Sequence, residues 1–324
     1  MIVELRADCL SEHSLRARMH CHAPTPLVAL LPAHSEFDTE AEAAAAVQLQ
    51  VLWFDFADHV LVHGTPPSPC RALWRGFMLS ADRFAQLHAE LAALDIHLVT
   101  PPAAYERALY YPLAYTALAP LSPPATWVPV PRYQPGSIVP RSIFADAAKE
   151  AASWPGCEFV MLKDYIKSVK EQARFFKVPV EEAAEAACEL VHARGPRFER
   201  GVVFKQWVQL AWYPGKQTSA GAPNEWRLWF CRGELLSMHP NSFQSDAAPP
   251  PPAASVAAAA RAAAGLDSPF LAVDLAERED GEWICLESND GGASGPAPEQ
   301  DLVELWRRLL LVLGALLKAS PPRA

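Results

Sequence analysis

Two apolar runs, Phe270 to Ala276 and Trp283 to Leu286, flank the turn-forming Glu279-Asp280-Gly281. Short apolar segments separated by an Asp-Gly turn read as a β-hairpin, and a hairpin fixes which side chains can meet. Asp274 falls on its first strand, while Glu287 and Asn289 leave the end of the second within Glu287-Ser288-Asn289-Asp290-Gly291-Gly292. Side chains two apart in an extended chain point to one face, so Glu287 and Asn289 converge. Two carboxylates and an amide oxygen make a hard, all-oxygen donor set. Mg²⁺ is commonly held by such a set together with nucleotide phosphates. The expectation is an ATP-using enzyme.

The rest of the composition narrows the class. A chain of 324 residues has room for two or three modest domains or one large α/β body. The net charge of −9 and the lack of a basic stripe disfavour a nucleic-acid partner. No apolar run approaches the roughly 20 residues that span a bilayer. Met1 to Leu15 carries Glu4, Asp8 and Glu12 and lacks the apolar core of a secretory signal. Seven scattered cysteines without a CxxC pair fit reduced thiols and a cytoplasmic protein. His20-Cys21-His22, with His13 and His34 nearby, fits no standard zinc spacing and reads as a polar surface segment.

Along the chain, residues 1–40 look irregular, and Glu40 to Val51 is alanine-rich and helical in pattern before Leu52-Trp53-Phe54. His59 to Val62, Ala72 to Met78 and Ile96 to Val99 read as strands. Ser80 to Leu94 reads as an amphipathic helix capped by Ser80. This strand–helix–strand alternation predicts an α/β domain with a partly parallel sheet. Residues 119–140 are proline-rich and read as a crossing segment between domains. Beyond them, Ala145 to Ala152, Pro179 to Ala193 and Asp301 to Leu317 are helical in pattern. Glu158 to Leu162, Gly201 to Leu210, and a hairpin of Glu225 to Cys231 with Leu235 to Met238 supply strands. Tyr213 to Gly221 has the composition of a mobile lid, and the Pro249–Pro252 run reads as a loop stiffener.

Chemistry-bearing residues recur at the strand ends. Lys163 and Lys167 lie four apart where the strand ending at Leu162 stops; lysine ammonium groups reach nucleotide phosphates from such positions. Phe204-Lys205-Gln206-Trp207-Val208 combines backbone donors with flat apolar walls, as the wall of an adenine pocket requires. Glu225 and Arg227 alternate with Trp226 and Leu228, so they share one strand face, where a guanidinium can stabilise a transferring phosphoryl group. A cross-strand salt bridge is the plainer reading of that pair. Arg75, in Trp74-Arg75-Gly76-Phe77-Met78, has two readings of equal standing: a contact for an anionic substrate, since a guanidinium fits a carboxylate bidentately, or a buried structural arginine. Neither a Gly-x-Ser-x-Gly elbow nor a Walker lysine loop is present.

In order, Lys163-Asp164-Tyr165-Ile166-Lys167-Ser168, Glu225-x-Arg227, and Leu286-Glu287-Ser288-Asn289-Asp290-Gly291 with Ser294-Gly295 resemble the ATP-grasp clade named for one arginine and two lysines. Trp74 to Met78, Thr100-Pro101-Pro102 and Tyr105 to Tyr111 are similar to that clade's leading domain. The resemblance spans roughly residues 50–317. It implies an α/β (α+β) ATP-grasp fold, with an N-terminal α/β pre-ATP-grasp domain at 41–135 after an irregular segment at 1–40. Two α+β subdomains within 136–320 would then clasp ATP. It also implies that Lys163 and Lys167 contact ATP phosphates and that Gln206 to Val208, after Lys205, border the adenine. Arg227 would contact the γ-phosphate or the transferred group, and Asp274, Glu287 and Asn289 would hold one or two Mg²⁺ ions. The activity implied is a carboxylate–amine ligase acting on small-molecule or peptide substrates through an acyl-phosphate and releasing ADP. Two alternatives remain: a covalent nucleotidyltransferase using Lys163, and a catalytically inactive nucleotide- or peptide-binding module. The acidic residue familiar at the hinge of ATP-grasp enzymes is Gln206 here, and no clear Gly-rich loop occurs between 163 and 178.

Overall fold

The computed structural model describes residues 25–55, 61–131, 138–166, 173–216, 221–241, 244, 247–297 and 299–319. The chain begins with β1 (Leu27–Pro32), α1 (Asp38–Ala46), β2 (Gln50–Phe54), β3 (Leu61–His63) and β4 (Cys70–Trp74). It continues through α2 (Ala81–Ala92), β5 (Ile96–Leu98), α3 (Pro102–Leu109) and α4 (Tyr111–Leu118). The strands form one sheet in the order β3-β2-β1-β4-β5, parallel except for β3. The segment expected to be irregular therefore supplies the central strand. Leu-Val-Ala-Leu-Leu-Pro lacks alternation because helices and side chains cover β1 on both faces, leaving Val28 to Leu31 fully buried. The α2 helix starts where the sequence places it, with the Ser80 hydroxyl accepting from the Arg83 amide.

Next come β6 (Ala125–Pro129), α5 (Ala145–Ala152), β7 (Phe159–Asp164), β8 (Val178–Pro179), α6 (Ala183–Arg194) and β9 (Gly201–Gln206). These strands form an antiparallel sheet, β6-β9-β7-β8, backed by α5 and α6 around Phe144, Phe175 and Phe204. The proline-rich stretch expected to cross between domains thus contributes a strand of its own. Short β10 (Trp212–Tyr213) and β11 (Ala222–Pro223) pair with each other. The chain closes with β12 (Glu225–Cys231), β13 (Glu234–Pro240), α7 (Ala253–Gly265), β14 (Leu271–Glu277), β15 (Trp283–Asp290) and α8 (Leu302–Ala319).

The last four strands form an antiparallel sheet, β13-β12-β14-β15. One of its faces buries Leu228, Phe230 and Val273 against α7 and α4. Trp229 and Phe270 join the other core, with Leu31, Leu73, α1 and α8. This shared core locks the third sheet to the first, and each large apolar side chain buried there contributes about 1.5–3 kcal/mol. No helix among the described residues is long and apolar enough to cross a membrane.

Candidate active site

Cross-strand register builds the site on the third sheet. His239 lies opposite Arg227, Arg227 opposite Asp274, and Asp274 opposite Glu287, so one row of side chains crosses all four strands on one face. Asn289 stands opposite Ala272, two residues further along the same face. Glu287 and Asn289 lie inside β15 rather than beyond its end, because pairing continues to Asp290. A bulge between Asp274 and Leu275 leaves Leu286 as the extra residue and lets the row survive the change of register.

The row is held by charge. Arg227 donates from Nε and Nη2 to the two Asp274 carboxylate oxygens at 2.9 and 2.7 Å, and from Nη1 to the Gly295 carbonyl at 2.7 Å. Burial alone would lower the Arg227 pKa, but its hydrogen bonds with Asp274 and the nearby acids outweigh burial and raise it. Asn241 Nδ2 reaches both Glu225 and Asp274.

The second sheet faces this row with two lysines. Lys205 lies opposite Met161, and Lys163 is two residues along β7 from Met161, so the lysines share a face. Lys163 Nζ is 3.5 Å from Glu287 Oε2, and Lys205 Nζ donates to the Leu286 carbonyl at 2.6 Å. Both ammonium groups lie over the Tyr111 ring, at 5.4 and 5.3 Å. Complete burial pushes the Lys205 pKa down to about 8. The lysine that the structure pairs with Lys163 is therefore Lys205; Lys167 lies outside the described residues. The sequence signal for Lys205 was its lone charge inside an apolar strand.

Between the sheets opens a cavity of about 270 Å³, lined by Met161, Lys163, Lys205 to Val208, Leu210, Glu225, Leu286 and Glu287, with Phe176 at its wall. The Trp207 ring carries the Lys177 ammonium at 4.0 Å. The Gln206 amide is committed elsewhere, donating from Nε2 to the Pro155 carbonyl at 3.1 Å.

Arg75 is not placed to meet a substrate. It is buried, grips both carboxylate oxygens of Glu40 at 2.6 Å, and donates to the carbonyls of Ser294, at 2.7 Å, and Gly291. Four of the five guanidinium N–H groups are taken by protein, tying the first sheet and α1 to the loop after β15. Of the two readings of Arg75, the structure agrees with the buried structural arginine and not with the anionic-substrate contact.

Asp290 lies within the sequence motif, which gives it no role of its own. It faces the side of β15 opposite Asn289, is fully buried, and accepts from the Gly292 amide at 2.8 Å, while its Oδ2 has no hydrogen-bond partner among the described residues. Burial pushes its pKa up to about 7.

Among the described residues no group of three or more His, Cys, Asp and Glu side chains forms a metal cluster. The candidate donors are two carboxylates, Asp274 and Glu287, and the Asn289 amide. That set suits Mg²⁺, which keeps part of its coordination for water and phosphate oxygens.

Residues 134–309 match an ATP-grasp domain family, family 3 of the clade named for one arginine and two lysines. The fold is similar to that of D-cycloserine synthetase DcsG, at 20% identity and a TM-score of 0.58, covering 89% of this chain and 99% of that one. It is likewise similar to D-alanyl-alanine synthetase A from Vibrio cholerae O1 biovar eltor, at 14% identity and a TM-score of 0.55, covering 92% and 100%. A third similar structure is the ATP-grasp ligase PsnB, complexed with a minimal precursor, Mg and ADP, at 13% identity and a TM-score of 0.53, covering 88% and 96%. No curated protein matches the chain.

Proposed function

Because the chain belongs to this third ATP-grasp family of the one-arginine, two-lysine clade, we propose that it is an ATP-dependent ligase that activates a carboxylate as an acyl-phosphate and transfers the acyl group to an amine. The observation that carries this reading is the row Arg227–Asp274–Glu287, whose Glu287 meets Lys163 and lines one cavity with Lys163 and Lys205. Fixed cations and a hard donor set in one partly enclosed space are what phosphoryl transfer requires, since its catalysis is mostly positioning and electrostatics.

In the proposed reaction a carboxylate oxygen attacks the γ-phosphorus of ATP, and the bond from that phosphorus to the β–γ bridging oxygen breaks, releasing ADP. The amine nitrogen then attacks the acyl carbon, phosphate departs with its oxygen, and the nitrogen gives up a proton. Lys163 and Lys205 balance phosphate charge, joined by Lys167 on the strength of the family resemblance. Arg227 steadies the transferring group, and the backbone of Gln206 to Val208 borders the adenine. Asp274, Glu287 and Asn289 would hold Mg²⁺, which supplies charge neutralisation between the phosphates. Without nucleotide each acid already has a cation beside it, Arg227 at Asp274 and Lys163 at Glu287. Loading would therefore exchange partners rather than bring charge into an empty site.

The domain division proposed is a leading α/β unit that takes in β1 (Leu27–Pro32) ahead of the expected 41–135, and an ATP-grasp unit at 136–320 whose sheet also recruits β6 (Ala125–Pro129), in a cytoplasmic enzyme with small-molecule or peptide carboxylate and amine substrates. The similar folds of PsnB, solved with a minimal precursor, and of the two synthetases support leaving both small-molecule and peptide substrates open. The test is incubation with ATP, Mg²⁺ and panels of carboxylate–amine pairs, with ADP, AMP and phosphate quantified. ADP and phosphate formed in step with an amide product support the reading. AMP retained on the protein, with pyrophosphate released, would replace it with nucleotidyl transfer through Lys163.

A further inference from the structure

The two lysines of the cleft rest on one aromatic ring to which the proposed reaction gives no role. Tyr111 opens α4, is 4% exposed, and lies ahead of residues 134–309, the span that matches the ATP-grasp domain family. Its ring centroid is 5.4 Å from the Lys163 ammonium and 5.3 Å from that of Lys205. Both distances fall within the roughly 6 Å over which the negative face of a ring attracts a cation.

The need for such a ring is plainest at Lys205. Among the described residues its ammonium donates to the carbonyls of Leu286, at 2.6 Å, and Cys285, at 3.4 Å, and forms no ion pair. A buried charge without a counter-charge is costly. Lys163 does have Glu287 at 3.5 Å, but that carboxylate is one that Mg²⁺ would engage on loading. The ring is a neighbour common to both ammonium groups, and loading leaves it in place.

The strands that carry the lysines also fix the ring. The Tyr111 amide donates at 2.8 Å to the carbonyl of Tyr165, two residues beyond Lys163. The ring packs on Tyr115, with centroids 5.6 Å apart, and Tyr115 meets Trp127 edge-on at 5.8 Å. Trp127 belongs to β6, whose Ala125 pairs with Lys205 on β9. The Tyr111 hydroxyl is buried and makes no hydrogen bond of normal geometry among the described residues, so the ring face rather than the phenol serves the lysines. Resting on the ATP reading above, we propose that Tyr111 is a positioning residue whose ring, supplied by the leading unit, holds the Lys163 and Lys205 ammonium groups in place for the nucleotide phosphates.

The experiment is calorimetric titration of the full chain in Mg²⁺ with ATP, and with adenosine by competition against ATP. It compares the unaltered protein with Tyr111→Leu, Tyr111→Phe, and Tyr111→Phe carrying one, two or three ring fluorines. Fluorination drains negative charge from the ring face while nearly conserving its shape. Tyr111→Phe is expected to bind ATP within about threefold of the unaltered protein, and Tyr111→Leu at least about tenfold more weakly. ATP affinity is expected to fall stepwise along the fluorine series, while adenosine stays within about threefold throughout. A ring that only fills space would weaken ATP and adenosine together, or give a flat fluorine series, and either result overturns the inference. So does a Tyr111→Leu protein that melts as a folded chain and binds ATP normally. If Tyr111→Leu fails to fold, the fluorine series decides alone. An unaltered protein that binds no ATP overturns the ATP reading itself, and the inference with it.

Discussion

Replacing Arg227 with methionine isolates what the charged row costs the protein when it stands alone. The variant keeps the apolar stem and removes two hydrogen bonds to Asp274 and one to the Gly295 carbonyl. The Asp274 side chain is 3% exposed, so its carboxylate cannot recover those bonds from water. Removing one partner of a buried ion pair costs about 3–5 kcal/mol. The low end applies, because the Arg227 side chain is itself 15% exposed and Asn241 still approaches Asp274 at 3.3 Å. Urea unfolding without divalent cations should therefore show a loss of about 3 kcal/mol. The same variant leaves Asp274 and Glu287 side by side without the guanidinium, so millimolar Mg²⁺ should restore part of that stability and affect the unaltered protein less. A loss below about 1 kcal/mol, or a Mg²⁺ response no larger than in the unaltered chain, would refute the reasoning.

Further outcomes follow from other contacts. Lys163→Ala should leave the protein folded but lower ADP formation by about 10²–10³-fold, the usual loss for one preorganised electrostatic group; retained turnover would move the phosphate contact elsewhere. In Gly292→Ala the new Cβ would lie 2.6 Å from the Trp74 carbonyl oxygen, so stability should fall by about 1–3 kcal/mol. Gly295→Ala, which meets nothing within 4 Å, is the control and should be nearly neutral. Asp290 is held at about 7 rather than its ordinary 3.8, so its stabilising contribution is full below the ordinary value and is lost as pH rises through about 7. Asp290→Asn should therefore match the unaltered protein near pH 4 and exceed it by up to about 4 kcal/mol near pH 8; a pH-independent difference in urea unfolding would contradict the assignment.

What could be read in advance was whatever a two-residue period controls. Alternation along β12 and β15 put Glu225 with Arg227, and Glu287 with Asn289, on common faces, and the Asp-Gly turn brought Asp274 beside them. Groupings made by distant pairing were hidden. Lys205, expected at the nucleotide with Lys163 and Lys167, meets Lys163 because β9 lies beside β7, a pairing no local pattern announces. The two readings of Arg75 could not be separated in advance because its partner, Glu40, lies 35 residues away on a helix and its other acceptors follow β15. β1 escaped notice for a different reason: a strand buried on both faces has no alternation, and six residues are too few to separate strand from helix by composition. Asp290 was passed over because nothing local announces that its face of β15 is sealed from water.

The central claim is that the cleft between β7–β9 and β14–β15 binds ATP through Mg²⁺. Calorimetric titration of ATP into the purified protein, with Mg²⁺ and then with EDTA, tests it most directly, paired with Glu287→Gln in the same buffers. The account predicts binding that depends on Mg²⁺ in the unaltered chain and loses most of that dependence in the variant. Equal affinity in Mg²⁺ and EDTA, or a Mg²⁺ dependence untouched by Glu287→Gln, would contradict it.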